Sequence, residues 1–280
     1  MTSFSPQPFN EKYPYGFFTF ARSEDFENLT VNDYDAIAGA FDDIMGIDFH
    51  AATYGIRRAQ IEKQIGARPF RSLDLCCGTG IFLEQITKDF PVEGYGIDLS
   101  KGQLDIAQQR LAGRKVTLRI GDVTQTEFPA DLDLVTMNMD ALNHLTSPTQ
   151  WDIVFEKTFA ALKRGGLFSF DINLPKRLLN DWNNIEYVGK PHVHYIQLAE
   201  KPEPKDGFIW RRTPMVVFKQ QDNGLFAIHR AVIRQMAVPL DKVDTMLKER
   251  GFQKVYWQYA PEKPEGHIFN KNRAFVFAIK

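Results

Sequence analysis

Hydrophobic positions follow one rhythm up to about Asn173 and another beyond it. From Asp33 to Gly66, Ile37, Phe41 and Ile44, then Ile56, Ile61 and Ile65, recur at helical spacing, with a break expected near Gly46. Strands and helices then alternate. Ser72 to Cys76 reads as a buried strand, followed by a glycine turn and a helix through Phe82, Leu83 and Ile86. Gly94 to Asp98 is the second strand, and Ser100 with Gln103 makes a capping box for a helix carrying Leu104, Ala107 and Leu111. Val116 to Ile120 and Leu132 to Met137 are the third and fourth strands. Ser147, Pro148 and Gln150 open a helix with Phe155, Phe159 and Leu162 on one face, and Gly165-Gly166 is expected to stop it before a fifth strand, Leu167 to Ile172. Such alternation predicts a parallel sheet covered by helices on both faces.

Past Asn173 the segments Tyr187–Leu198, Phe208–Phe218 and Leu225–Ala237 are separated by Lys205-Asp206-Gly207 and Asp222-Asn223-Gly224, which are hairpin signals. They predict an antiparallel β insertion. A helix from Asp241 to Arg250 stops at Gly251, and Phe252–Tyr259 and Ala274–Ile279 alternate as strands, the second expected to close the sheet edge antiparallel. The expected division is 1–66 for an N-terminal arm and lid helices, 67–175 for the α/β core, 176–238 for the insertion and 239–280 for the completing helix and strands. The arm is rich in aromatics (Tyr13, Tyr15, Phe17, Phe18, Phe20) without a clear period, as expected of a segment that packs on something else.

Composition narrows the function. A chain of 280 residues with 44% hydrophobic and 25% charged residues has the makings of an ordinary globular core. A formal net charge of -1, with no long run of one sign, offers no broad basic surface, so no nucleic-acid partner is expected. Cys76 and Cys77 are adjacent and have no third cysteine to pair with, and no Cys/His cluster has zinc-site spacing; no metal is expected. The first ten residues lack the order of a signal peptide, and no apolar run reaches membrane-spanning length. A cytoplasmic protein with a small-molecule partner, monomeric or homodimeric, is the expectation.

The chemistry concentrates at Leu73-Asp74-Leu75-Cys76-Cys77-Gly78-Thr79-Gly80. A glycine-rich turn between strand and helix lets a ligand approach the backbone. A dinucleotide fingerprint wants Gly or Ala three residues after the second glycine, and Leu83 stands there instead. About twenty residues on, Asp98 ends the second strand, where a carboxylate accepts hydrogen bonds from ribose hydroxyls. Gly121-Asp122-Val123 ends the third, where an acceptor can take an adenine amino proton. Any one of these acids is equally well a solvated loop residue or a helix cap. Asp74, Asp98 and Asp122 together, on three consecutive strands, mark a ligand at the carboxyl edge of the sheet.

The series D-L-C-C-G-T-G, G-I-D-L-S and G-D-V over 70–171 resembles the class I S-adenosylmethionine-dependent methyltransferases. That resemblance implies a Rossmann-like, seven-stranded, mostly parallel sheet and S-adenosylmethionine as cofactor. It implies Gly78 and Gly80 at the methionine moiety, Asp98 at the ribose, Asp122 at the adenine and Asn138 near the sulfonium, with Cys76, Leu99 and Val123 as further cofactor contacts. Asp33-Tyr34-Asp35-Ala36-Ile37-Ala38-Gly39-Ala40-Phe41-Asp42 and Asn143-His144-Leu145 are further similar to deoxyaminosugar N,N-dimethyltransferases and their small-molecule relatives. Phe170-Asp171-Ile172-Asn173, with Trp182 following, resembles other small-molecule members.

Methyl transfer from a sulfonium is an in-line displacement that needs alignment and exclusion of water, and alignment alone can lower the barrier by about 7–11 kcal/mol. Tyr34 is expected over the donor as part of a lid, or else as a helix-packing tyrosine. A histidine's unperturbed pKa lies near neutrality, so His144 is expected to accept or orient a proton of the acceptor, or else to be a polar surface residue of its loop. Tyr54 and Arg58, one turn apart, are candidates for the methionine carboxylate, although an arginine there also suits a solvated helix face. Asn173, Tyr195, Arg211 and His229 are candidate acceptor contacts, with Trp210, Arg212 and Arg230 nearby in the insertion. Solvent-facing charge is the competing reading for most of the insertion residues. Two other functions share these features: a SAM-consuming enzyme that cyclises or transfers the aminocarboxypropyl arm, and a SAM-binding module without turnover.

Overall fold

The computed structural model describes residues 24–27, 29, 33–181, 185–198, 200–260 and 272–280. The aromatics between Tyr13 and Phe20, and Trp182, lie outside the described residues. A single turn, α1 (Glu24–Glu27), is followed by α2 (Ala38–Phe41) and α3 (Ile47–Gln64). The chain does not break at Gly46. A π-helical turn, Asp42–Gly46, carries α2 into α3, and the Ile47 N–H bonds the Asp42 carbonyl. A Cβ at Gly46 would stand 3.1 Å from both the Asp42 carboxylate and Ile81, so glycine lets this turn close on the core.

The alternation predicted from Phe70 onward is present: β1 (Phe70–Leu75), α4 (Ile81–Asp89), β2 (Val92–Asp98), α5 (Lys101–Arg110), β3 (Val116–Ile120), β4 (Leu132–Met137), α6 (Pro148–Ala161) and β5 (Leu162–Asn173). The helix α6 ends earlier than Gly165-Gly166. Leu162 is already extended, Lys280 Nζ takes the carbonyls of Phe159 and Leu162 at 2.6 Å each, and Gly165 at φ 78° sits within the irregular start of β5. After β5 come β6 (Ile185–Lys190), β7 (Val193–Leu198), β8 (Glu203–Lys205), β9 (Phe208–Gln220), β10 (Phe226–Ala237), α7 (Leu240–Glu249), β11 (Lys254–Tyr259) and β12 (Arg273–Ile279). The first predicted insertion strand is thus a hairpin of two, turning at Pro191-His192.

Seven strands form one sheet in the order β11-β12-β5-β4-β1-β2-β3, parallel from β3 to β5 and antiparallel where β12 meets β5 and β11. This is a Rossmann-like α/β fold. The expected edge position of the last strand is corrected: β12 lies inside the sheet, and β11 is the edge. Their burial explains the order, since β12 is buried at every position to Ala278 while β11 is exposed apart from the part-buried Val255 and Tyr256. A strand apolar at successive positions belongs where both faces are covered.

The second sheet, β10-β9-β7-β6 with β8 beside β9, is antiparallel throughout. Its inner face places Val193, Tyr195, Met215, Val217, Ala231 and Ile233 against Ile37, Ala40 and Ile44 of the N-terminal segment. Its outer face is covered in part by Phe26 of α1 with Leu198, Val216 and Val232. The insertion therefore holds the N-terminal segment over the carboxyl edge of the main sheet.

Candidate active site

The glycine turn leaves β1 through three left-handed residues, Cys76 (φ 54°), Gly78 (φ 56°) and Gly80 (φ 79°). Its two glycines serve different neighbours. A Cβ on Gly78 would reach 2.7 Å from Gln103 Oε1, and one on Gly80 would strike Leu111 at 2.9 Å, so Gly80 is needed to seat α5 on the turn. Asp98 Oδ2 accepts the Gly78 N–H at 2.8 Å and Oδ1 accepts the Ser100 N–H at 2.8 Å. A carboxylate offers about four lone-pair sites, so acceptor capacity remains, next to an exposed Leu99. Burial raises the Asp98 pKa, and these backbone bonds work against it. Asp122 Oδ1 accepts the Thr124 N–H at 2.8 Å and hydroxyl at 2.7 Å, while Val123 is core.

The N-terminal segment is fastened to both of these turns. Asp35 Oδ1 accepts the Ser100 hydroxyl at 2.6 Å and the Gly102 N–H at 2.7 Å. Asp42 accepts the Thr79 hydroxyl at 2.6 Å and pairs with Arg110. Neither acid is legible as a latch from spacing alone, because its partners lie 37 to 68 residues away. Together they fix the segment that carries Tyr34, whose phenol is close enough to Asp98 and Cys76 to be influenced by them.

Asp74, inside β1 and fully buried, accepts the Thr136 hydroxyl at 2.6 Å and the Asn138 amide at 2.7 Å on one oxygen. Burial raises its pKa to about 7, against these bonds and the attraction of Arg57. Asn138 Oδ1 is buried without a hydrogen-bond partner, and so are Nε and Nη1 of Arg57. Orphaned buried acceptors and donors are costly unless a ligand or water serves them.

A chain of buried ions lies beneath. Asp171 pairs with both Arg57 and Arg273, and also accepts the N–H groups of Met139 and Asp140 at 2.8 and 2.9 Å. Burial alone would raise the Asp171 pKa; the two guanidinium groups and the N–H donors reverse that and hold it below the usual range. Met139 and Asp140 are both left-handed non-glycine residues, at φ 56° and 48°. Their paired N–H groups make an anion-binding concavity filled by Asp171. Asp140 Oδ1 then pairs with Arg273 at 2.6 Å.

His144 ends the short helical turn Ala141–His144 that follows. Asn143 ties this turn down, donating to the carbonyls of Asn173 at 3.0 Å and Met236 at 2.9 Å, and accepting the Asn173 N–H at 2.9 Å. His144 Nε2 lies 3.1 Å from the Tyr34 hydroxyl and 3.1 Å from Gln235 Nε2. Burial lowers the His144 pKa, with Asp140 opposing and Arg273 assisting, so the ring is neutral at pH 7. Burial, with Asp140, Asp98 and Cys76, pushes the Tyr34 phenol well above its ordinary value, so it keeps its proton.

Several expected site residues fall elsewhere. Tyr54 hydrogen-bonds Asp89 at 2.9 Å and Gln85 O at 3.3 Å at the far end of α4, whose other end meets the glycine turn. Its neighbour Arg58 is half-exposed and pairs with Glu62 and Asp89. The inward cation of α3 is Arg57. Tyr195 and His229 share a cross-strand row through Val217, and Arg211 faces Gln235 in another row six residues along β10. At about 3.3 Å per residue, the rows are roughly 20 Å apart, which removes Tyr195 and His229 from the His144 cluster. Tyr195 is instead buried in the apolar contact with the N-terminal segment. Asn173 and Arg211 do reach the cluster: Asn173 Nδ2 lies 3.5 Å from Gln235 Oε1, and Arg211 donates to Leu178 O at 2.6 Å beside it. Burial raises the pKa of both Cys76 and Cys77, which keeps these thiols protonated. Among the described residues, no group of three or more side chains has the makings of a metal site, and no helix is long and apolar enough to cross a membrane.

His50, on the same helix as Arg57, has its pKa pressed down to about 3 by burial first and Arg57 second. Its unfolded value is near 6.5, so below that pH the unfolded chain binds more protons. The contribution to stability is complete above pH 6.5 and lost as pH falls towards 3. Between pH 6.5 and 4 the urea midpoint of the wild type should therefore fall more steeply than that of His50→Asn; equal slopes would count against this assignment.

Comparison with known proteins places this geometry. Residues 73–166 match the family model of a methyltransferase domain. A protein of Geobacillus sp. (strain WCH70), named "Putative methyltransferase", is 25% identical over 240 residues, spanning 78% of this chain and 88% of its own. Among solved structures, a S-adenosylmethionine-dependent methyltransferase from Clostridium acetobutylicum superposes with a TM-score of 0.69 at 21% identity, covering 88% of this chain and 98% of its own. A sugar N-methyltransferase from Streptoalloteichus gives 0.64 at 17% identity, covering 94% and 98%. At such identities the structural likeness is one of fold.

Proposed function

We propose that this chain, which carries a methyltransferase domain over residues 73–166, transfers a methyl group from S-adenosylmethionine to an amine or hydroxyl of a small molecule. The observation that carries this reading is the meeting of two half-sites at one sheet edge. One is the glycine turn with Asp98; the other is the Tyr34–His144 pair held over it by Asp35 and Asp42.

The buried polar atoms suit that cofactor. Asp98 keeps acceptor capacity for the ribose hydroxyls, and Asp122 stands at the end of the next strand for the adenine. Asp74 with the orphaned Asn138 Oδ1 would receive the ammonium of the methionine moiety. The orphaned N–H groups of Arg57 would answer its carboxylate, the place first expected of Tyr54 and Arg58. When bound, the cofactor supplies an electrophilic methyl group on sulfur.

An amine or hydroxyl that accepts this methyl group would also have to give up a proton. The proton lost by the acceptor goes to His144, which is neutral and whose Nε2 faces the Tyr34 hydroxyl. Asn173 and Arg211 flank this point and are proposed acceptor contacts. Tyr34 and the segment behind it exclude water, which strengthens the remaining electrostatic interactions.

The test is a mass-spectrometric screen of amine and alcohol acceptors with the purified protein and S-adenosylmethionine. Methylated acceptor with S-adenosylhomocysteine supports the proposal. Release of methylthioadenosine in its place would move the protein to cyclising or aminocarboxypropyl-transferring chemistry, and cofactor binding without any turnover would make it a binding module.

A further inference from the structure

Gln235, on β10 of the insertion, touches both Asp140 and His144 through one nitrogen. The Asp140 carboxylate is engaged by the Arg273 guanidinium through Oδ1, and a carboxylate can only accept. The Gln235 atom beside it must then be the NH2 group, and its oxygen falls on the Asn173 amide. An amide nitrogen has two protons. One is spent on Asp140 Oδ2, and the other points at His144 Nε2, 3.1 Å away.

We propose that Gln235 is a positioning residue that fixes His144 as the tautomer protonated on Nδ1, with the lone pair of Nε2 held by the Gln235 N–H until a proton is transferred. An Nε2 that carried a proton would face the Gln235 N–H, donor against donor. The Tyr34 hydroxyl, on the other side, is then also a donor to Nε2. Among the described residues, the ionisable groups that act on His144 are Tyr34 from the N-terminal segment, Asp140 from the turn of His144 itself and Arg273 from β12.

The arrangement couples the insertion to proton transfer. The strand that contributes Gln235 also contributes Ile233 to the cover over the N-terminal segment. A proton arriving at Nε2 requires the Gln235 amide to turn over or to let go of His144, so movement of β10 changes the basicity of the site. Under the methyltransferase reading, that makes the sheet that covers the N-terminal segment a control on when His144 can take the acceptor's proton.

The readout is the ring nitrogens of His144 in the full-length, 15N-histidine-labelled protein, free and with S-adenosylhomocysteine, by long-range proton–nitrogen correlation. The sequence has six histidines, and the spectrum of His144→Gln assigns the right one. The wild type is expected to show Nδ1 protonated and Nε2 unprotonated at neutral pH. In Gln235→Leu the preference should shift towards the Nε2-protonated form, with Tyr34 as acceptor. In Gln235→Glu the carboxylate should draw a proton onto Nε2 and raise the titration midpoint of His144. A wild-type ring already protonated on Nε2 overturns the proposal, as do variant spectra that match the wild type. The measurement needs neither acceptor nor turnover, so its failure is separable from failure of the methyltransferase reading.

Discussion

Asp171→Ala should lower the melting temperature by about 6–20 °C. Breaking a buried ion pair by removing one partner costs about 3–5 kcal/mol, and each kcal/mol shifts the melting temperature by roughly 2–4 °C at this size. Asp171 is fully buried and has two partners to abandon. Its loss would leave Arg57 and Arg273 short of a counter-charge and the N–H groups of Met139 and Asp140 without an acceptor. The left-handed turn at 139–140 would lose the anion that rewards its strain. Asp105→Ala is the matched control: its pairing with Lys101 is well exposed on both sides, and its removal should cost less than about 0.5 kcal/mol. Differential scanning calorimetry of the two variants checks the contrast. Equal, small shifts would show that the ion chain does not hold the turn.

The second large effect concerns turnover. With an acceptor in hand, His144→Ala should reduce kcat by about 10²–10⁴, the usual contribution of a positioned general base. Binding of S-adenosylhomocysteine should stay close to wild type, because the glycine turn and Asp98 make no hydrogen bond to this ring. Tyr34→Phe, which removes one donor to Nε2 and keeps the ring packed on Phe41, should cost less than the histidine change. Turnover at the wild-type level in His144→Ala would remove this residue from the mechanism.

The sequence already showed the parts of this site that are local. The spacing from β1 through the glycine turn to Asp98 is set by one strand-turn-helix-strand unit, so the side chains that meet there are near in sequence. Arg57 was missed because a buried charge is recognisable only with its partner, and Asp171 lies 114 residues away. The buried stripe of α3 includes His50, Thr53, Arg57 and Ile61, which looks polar in a hydrophobicity pattern and so turned attention to Tyr54 and Arg58. Gln235 is likewise silent in sequence, since its role is set by contacts 91 and 95 residues away. The order of the last two strands differs from the expectation although the sequence carries its signal. Ala274 to Ile279 is apolar throughout, whereas Lys254 to Tyr259 is mixed, and continuous apolarity signals cover on both faces.

The proposed cofactor is tested most directly by calorimetric titration of the full-length protein with S-adenosylhomocysteine, beside Asp98→Ala and with NADH as the control ligand. One-site binding is expected, weakened by about tenfold to a hundredfold in Asp98→Ala, the effect of losing hydrogen bonds to a charged group at about 1.5–3 kcal/mol. No binding of S-adenosylhomocysteine by folded protein, or tight binding of NADH in its place, would contradict the assignment of this sheet edge to S-adenosylmethionine.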